Sequence, residues 1–254
     1  MMTGRRFSPM KIDVFLIPGS IEAVPKDVPG VIIDVLRASS SIITALENGC
    51  GRIIPTDSTE SAKKLAVSLG GGEDILLCGE RKGQLIEGFH IGNSPAEYTA
   101  ERVGNRILIY TTTNGTGAIL RCKAAEPLYI GGFLNVDALA DHLVQNTDAF
   151  FILCAGNNNQ FSLDDTVCAG MLVGAIQQRV TELELTDSGL AALNLYQAYK
   201  TNLLGMMRES EHGQTLINLG MEDDLSLCAQ TNVSRVIPTF TDGRITATVS
   251  AVPD

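Results

Sequence analysis

The first acid that could do chemistry is Asp34, which interrupts the apolar run VIIDVL at 31–36 and is followed by Arg37 and the triplet Ser39, Ser40 and Ser41. A carboxylate set into a buried strand must meet a cation, a metal ion or hydrogen-bond donors, because burying it alone is costly. Asp34 is therefore read first as a metal ligand, with an internal ion pair to Arg37 as the alternative. The serines open the next helix, where one is expected to be an N-cap. Ser39 and Ser40 also stand where a substrate oxyanion would be held.

A second acid–base pair, Glu80 and Arg81, lies just past the apolar run ILLC and before a Gly-rich loop that ends in Asn93, Ser94 and Pro95. Glu80 could complete an oxygen shell around Mg²⁺, which takes a few carboxylates and fills its other positions with water and substrate oxygens. Arg81 could grip a phosphate, sulfonate or carboxylate in two places at once. Read alone, the segment is an ordinary turn followed by a helix start.

Two uncharged loops follow. TTTNGTGA at 111–118 gathers hydroxyls, an amide and two glycines where a strand becomes a helix, a composition suited to a backbone nest for an oxyanion. Thr113, Asn114, Gly115 and Thr116 are its candidate substrate contacts. No Gly-Lys-Ser/Thr follows, so this is not a P-loop. CAGNNNQFSLDD at 154–165 brings Gly156 and the pair Asp164 and Asp165. Acids in a first helical turn are stabilised by the macrodipole, which accounts for one of the two. The other is free to bind metal, and with Asp34 and Glu80 would form a hard, all-oxygen site that suits Mg²⁺.

The elements that must position these residues are legible as alternation. Apolar runs at 12–17, 31–36, 75–78, 107–110, 128–130 and 149–154 suit strands buried on both faces, and helical patterns fall between them at 39–48, 59–69, 94–101, 115–124, 135–145 and 165–180. The expected fold is a three-layer α/β/α arrangement with a largely parallel or mixed sheet and a helical C-terminal part. Strand, small polar loop and Ala-rich helix recur three times, and in open α/β sheets such loops gather at the carboxyl ends of strands, where ligands bind. After residue 181 the texture changes to helices at 186–205 and 210–228, the second broken at Gly220, and a last strand at 245–252. Residues 1–254 are read as one α/β domain, with 1–10 as a tail and 181–254 as a helical subdomain or cap. Leu193, Leu195, Tyr196, Tyr199, Leu203 and Leu204 are read as core or as a subunit contact in a homo-oligomer.

Bulk properties narrow the partners. A net charge of -10 opposes nucleic acid and acidic membrane surfaces. No apolar run approaches the roughly 20 residues of a membrane helix, and no leader-like segment opens the chain, so a cytoplasmic location is expected. The six cysteines form no C-x-x-C pair and read as reduced, buried thiols. The three histidines, at 90, 142 and 212, are scattered and do not suggest zinc.

Taken together, DVLRAS, CGER with a following GF and GNSP, TTTNGT, and CAG with FSLDD and a second CAG resemble the 2-phosphosulfolactate phosphatase family over roughly residues 11–250. The resemblance implies Mg²⁺-dependent hydrolysis of the phosphate ester of a 2-hydroxy acid, in coenzyme M biosynthesis or a related pathway. On this basis Asp34, Arg37, Glu80, Arg81 and Asp165 are the expected catalytic residues. Asp34, Glu80, Asp164 and Asp165 are the expected metal ligands, and Ser39, Ser40, Asn93, Thr113, Asn114, Gly115, Thr116 and Gly156 the expected substrate contacts. His90 departs from the family pattern, which usually has an acid there, so no metal role is carried onto it. Attack by water is the expected route, a phosphoenzyme on Asp34 the rival, and Cys154 a third candidate nucleophile. A non-catalytic binder or sensor of small phosphorylated or sulfonated acids is the alternative function.

Overall fold

The computed structural model describes residues 9–19, 26, 28–125 and 127–249. Its eleven strands form one mixed sheet. In chain order they are β1 (Met10–Phe15), β2 (Gly30–Ile33), β3 (Arg52–Pro55), β4 (Ile75–Arg81), β5 (Gln84–Leu85), β6 (Ile107–Thr111), β7 (Leu128–Gly131), β8 (Ala149–Cys154), β9 (Leu183–Leu185), β10 (Val236–Thr241) and β11 (Arg244–Val249). Across the sheet they run β5-β4-β6-β3-β11-β10-β7-β2-β8-β1-β9. The strands β4, β6 and β3 are parallel to one another, as are β7, β2, β8, β1 and β9. Between the two parallel blocks lies the antiparallel hairpin β10–β11.

Following the pairings across the hairpin, the two blocks point in opposite senses. In a flat sheet their carboxyl ends would lie on opposite edges. Five strand-to-strand steps separate β6 from β2, and at about 20–25° each the twist accumulates to roughly 100–125°. The sheet therefore wraps over, and the two sets of carboxyl ends converge.

The cores record this wrapping through the two-residue period of each strand. Ile32, Phe151 and Leu153 from one block and Leu76, Cys78, Leu108 and Tyr110 from the other share an inner core with α1 (Ala38–Glu47) and α4 (Gly115–Arg121). Val31, Ile33, Phe150 and Ile152 face the other way, onto α5 (Val136–Asn146), α6 (Leu163–Gln177) and α7 (Asp187–Tyr199). On the far side, α2 (Thr59–Ser68) covers Leu77 and Ile109. The three-layer arrangement is present, with the sheet folded around its inner helices.

The remaining helices are α3 (Ala100–Val103), α8 (Leu203–Glu209), α9 (Glu211–Asn218) and α10 (Glu222–Cys228). Leu216 of α9 and Leu225 and Cys228 of α10 join the outer core, so the helical C-terminal part packs on the same body as the sheet. The expected break at Gly220 is there, at φ 76. The expected helix at 186–205 is instead two, interrupted at Lys200–Asn202, where Asn202 caps α8 by accepting from the Gly205 N–H. The expected helix at 94–101 is a 3-10 turn over Pro95–Glu97 followed by α3. Leu193, Leu195, Tyr196, Tyr199 and Leu204 pack against the outer core, and Leu203 is part of it. Most of the expected tail, residues 1–8, and the end of the expected last strand, 250–252, lie outside the described residues.

Candidate active site

Where the two sets of carboxyl ends meet, a cavity of about 240 Å³ opens, lined by Asp34 and Arg37 after β2, Glu80 of β4, Thr113 and Asn114 after β6, and Asn157 and Asn158 after β8. α9 closes it from above with Glu211, His212 and Thr215. Segments nearly two hundred residues apart in sequence thus share one small chamber.

Asp34 sits on its floor, buried, because β2 ends at Ile33 and the chain turns there toward α1. Burial pushes its carboxyl up to about 7, helped by the Asp164 and Glu80 carboxylates and opposed by the backbone N–H groups of Ala38 and Gly115. Gly115 is required at this contact, since a Cβ there would stand 2.7 Å from Asp34 Oδ2. The serine triplet holds the turn. Ser39 Oγ accepts from the Asp34 N–H, Ser40 donates to Val35 O and Ser41 to Asn93 O. None of the three is the N-cap of α1: that position is Arg37, with no side-chain cap. Ser39 and Ser40 are buried behind the cavity wall.

Arg37 does not pair with Asp34. Its guanidinium donates to Asp224 Oδ2 at 2.6 Å, to Gly83 O at 2.6 Å and to Met221 Sδ at 3.0 Å. Asp224 in turn accepts from the Ser94 hydroxyl. One buried ion pair therefore ties the β2 turn, the β4–β5 hairpin, the Asn93–Ser94 loop and α10 together.

Glu80 is occupied by backbone: Oε1 accepts from the Thr113 N–H and Oε2 from the Gly83 N–H, both at 2.7 Å. It shapes two loops around the cavity while facing into it. Arg81, the next residue on the strand, points to the opposite face, where it donates to Glu80 O and Thr111 Oγ1, and it does not reach the cavity wall. The glycine before them, Gly79, has φ 141, and a Cβ there would fall 1.9 Å from Thr111 O. This close approach of β4 and β6 explains the Cys-Gly-Glu-Arg order.

The acidic pair separates into two roles. Asp165 accepts from the Val35 N–H at 2.8 Å and the Gly156 N–H at 3.0 Å, lashing the β2 turn to the loop after β8. Burial, then the Asp164 and Asp34 carboxylates, push its carboxyl well above the usual range. Asp164 takes the Ser162 hydroxyl on Oδ1, but its buried Oδ2 has no hydrogen-bond partner among the described residues. Such an orphaned carboxylate oxygen calls for a cation or a ligand.

Of the other expected contacts, Asn93, Thr113 and Asn114 line the cavity. The Thr116 hydroxyl is spent on Thr112, and the Gly156 N–H on Asp165. His90 accepts from the Leu77 N–H and steadies the loop after β5, away from the cavity. Cys154 is fully buried behind the site, its thiol pushed far up by burial, and all six cysteines are free and buried. Sequence reasoning missed Lys82, Asn157, Asn158, Glu211, His212, Thr215 and Asp224. Of these, Asn157 and Asn158 lie inside the loop already singled out, so the loop signal could have found them.

The chain matches the family model for 2-phosphosulpholactate phosphatase over residues 16–243. It is 44% identical over 215 residues to a Symbiobacterium thermophilum protein named probable 2-phosphosulfolactate phosphatase, covering 85% of this chain and 92% of the relative. A Clostridium acetobutylicum protein of the same name is 39% identical over 239 residues, covering 93% and 100%. A third, from Thermotoga petrophila, is 37% identical over 213 residues, covering 84% and 89%.

Proposed function

Since the chain belongs to the 2-phosphosulfolactate phosphatase family, a family of phosphoric monoester hydrolases, we propose that it hydrolyses 2-phosphosulfolactate to sulfolactate and phosphate in a Mg²⁺-dependent reaction. The observation that carries this reading is a buried Asp34 lining one small chamber, its carboxyl raised to about 7, with Asp164, whose Oδ2 is orphaned, close enough behind it to act on it. At about 240 Å³ the chamber is below the roughly 300–1,000 Å³ of drug-sized pockets, which suits a compact ester.

Among the described residues, no three His, Cys, Asp or Glu side chains form a ready-made metal cage. Mg²⁺ does not need one, because it is commonly held by one or two carboxylates with substrate oxygens and water completing the shell. Asp34 and Asp164 fit that donor set, with Glu80 near enough to act on Asp34 electrostatically. Asp165 fits less well, because both its oxygens already hold backbone amides. When bound, Mg²⁺ would supply positive charge against the phosphoryl oxygens and lower the repulsion among the carboxylates.

The chain's own groups account for the rest. A carboxylate of the site that Mg²⁺ does not bind is suited to take a proton from water as the water oxygen attacks phosphorus, and to return it to the ester oxygen as the P–O bond breaks and sulfolactate leaves. The loops after β2, β6 and β8 hold polar groups around the incoming anion, and α9 limits access by bulk water. A phosphoenzyme on Asp34 is the competing route. Rapid acid quench of a single turnover with ³²P-labelled ester separates them, since radiolabel recovered on the protein overturns direct attack.

No helix among the described residues is long and apolar enough to cross a membrane, and six free buried thiols suit a reducing compartment, so the reading places the enzyme in the cytoplasm. A phosphate-release screen over 2-phospho acids, with Mg²⁺ and with chelator, tests the assignment. Release that chelator leaves unchanged would sink the metal requirement, and no release from any 2-phospho acid would sink the activity.

A further inference from the structure

Asp34 and Glu80 line the cavity, with the Asp164 carboxylate close enough to act on Asp34; the cationic side chains of the lining are Arg37 and Lys82, and His212 adds a ring N–H beside the amides and hydroxyls of the loops. On the reading above, the phosphate of the ester sits at the acidic floor with its metal ion. The acid end of the substrate, a sulfonate and a carboxylate, must then be met elsewhere, because a bare carboxylate floor repels it.

The two arginines expected at the site, Arg37 and Arg81, are committed elsewhere. Arg37 is neutralised by Asp224 in a buried pair at 2.6 Å, and its second terminal nitrogen is held by Gly83 O. Arg81 faces away from the cavity. Lys82 and His212 are different. No ion pair or hydrogen bond among the described residues engages the Lys82 ammonium, and the His212 ring has no hydrogen-bond partner there either.

Lys82 stands at the tip of the β4–β5 hairpin, where the two-residue turn it forms with Gly83 puts both in the left-handed region, at φ 53 and 80. That hairpin is pinned from below by Glu80 and Arg37 at Gly83 and packs from above against Leu219, just past α9. His212 stands in the first turn of α9, close enough to Asp164 and Glu80 for both carboxylates to act on it. Glu211 lines the same cavity.

The geometry points to Lys82 and His212 as the specificity-determining pair that receives the sulfonate and carboxylate end of the substrate, the lysine by charge and the histidine by a ring N–H. This rests on the phosphatase reading for where the phosphate lies, yet it concerns binding and can be read without turnover. The probe is sulfolactate, which lacks the phosphate. The wild-type protein is expected to bind it by calorimetry in Mg²⁺ buffer, and Lys82→Met to weaken binding about tenfold or more, the scale of one lost charge contact. Met keeps the same left-handed backbone demand, and Lys82→Arg should restore most of the affinity. His212→Leu should weaken binding and His212→Gln, which retains a donor, should weaken it less.

In turnover, the preference for 2-phosphosulfolactate over isopropyl phosphate should fall about tenfold in Lys82→Met, mainly through KM. Failure of the wild type to bind sulfolactate, or an equal loss on both esters in Lys82→Met, overturns the assignment. Binding that follows the lysine in a protein that releases no phosphate would instead refute the phosphatase reading and leave the pair in place.

Discussion

Replacing Asp34 with Asn should make the folded protein more stable while disabling it. The folded carboxyl titrates at about 7, against 3.8 for the same group in an open chain. Between these values the folded state binds more protons than the unfolded state, so stability falls as pH rises through the window. Below 3.8 both states are protonated and Asp34 costs nothing. Above 7 the full cost is present, and at about 1.4 kcal/mol per pKa unit it reaches about 4 kcal/mol. Asn is neutral and keeps an oxygen to accept from the Ala38 N–H. In chelator, Asp34→Asn should therefore gain about 2–4 kcal/mol over the wild type at pH 8 and close to nothing at pH 4. In a chain of this size each kcal/mol moves Tm by about 2–4 °C. Urea unfolding of both proteins from pH 4 to pH 8 gives the curve. An Asn variant less stable than the wild type at pH 8, or a difference that does not change with pH, would refute the reasoning. Mg²⁺ at a hundred times its Kd should narrow the gap at pH 8, because it adds about 2.7 kcal/mol to the form that binds it.

Asp164→Asn should weaken Mg²⁺ binding at least tenfold by calorimetry, whereas Asp165→Asn, which disturbs the amides of Val35 and Gly156, should act mainly by lowering Tm. Breaking the buried pair by Arg37→Met or Asp224→Asn should each cost about 3–5 kcal/mol in urea unfolding, with the double variant costing less than the two together. Gly115→Ala should reduce kcat at least tenfold, since the new methyl presses on Asp34 Oδ2, with circular dichroism spectra unchanged. A thiol reagent such as Ellman's should find no reactive cysteine in the native protein and all six in denaturant, because every thiol is buried.

What the sequence disclosed and what it concealed divide along physical lines. The acids Asp34 and Glu80 were visible because a charge in an apolar strand is anomalous, and the structure does bring them to one cavity. Arg81 was coupled to Glu80 by adjacency, although consecutive strand residues point to opposite faces. β10 was hidden by Pro238, which usually argues against a central strand. It is tolerated because the ladder to β7 begins only at Thr239. The short β3, closed by Pro55, escaped for a similar reason. His212 could not be found at all: α9 reads as an ordinary amphipathic helix, and only the wrapped sheet brings it to the cavity that Asp34 lines.

The position of the β10–β11 hairpin also governs how the chain can assemble. It is the last element of the sheet in sequence, yet it lies between β3 and β7, strands translated long before it. Until residues 236–249 are available, each half-sheet has an open edge, and the surfaces that will enclose α1 and α4 cannot close on each other. Pairing so distant in sequence predicts slow folding and a nascent chain exposed to edge-to-edge aggregation. The hairpin is thus a clasp that follows both half-sheets, and the chamber between them exists only after it shuts.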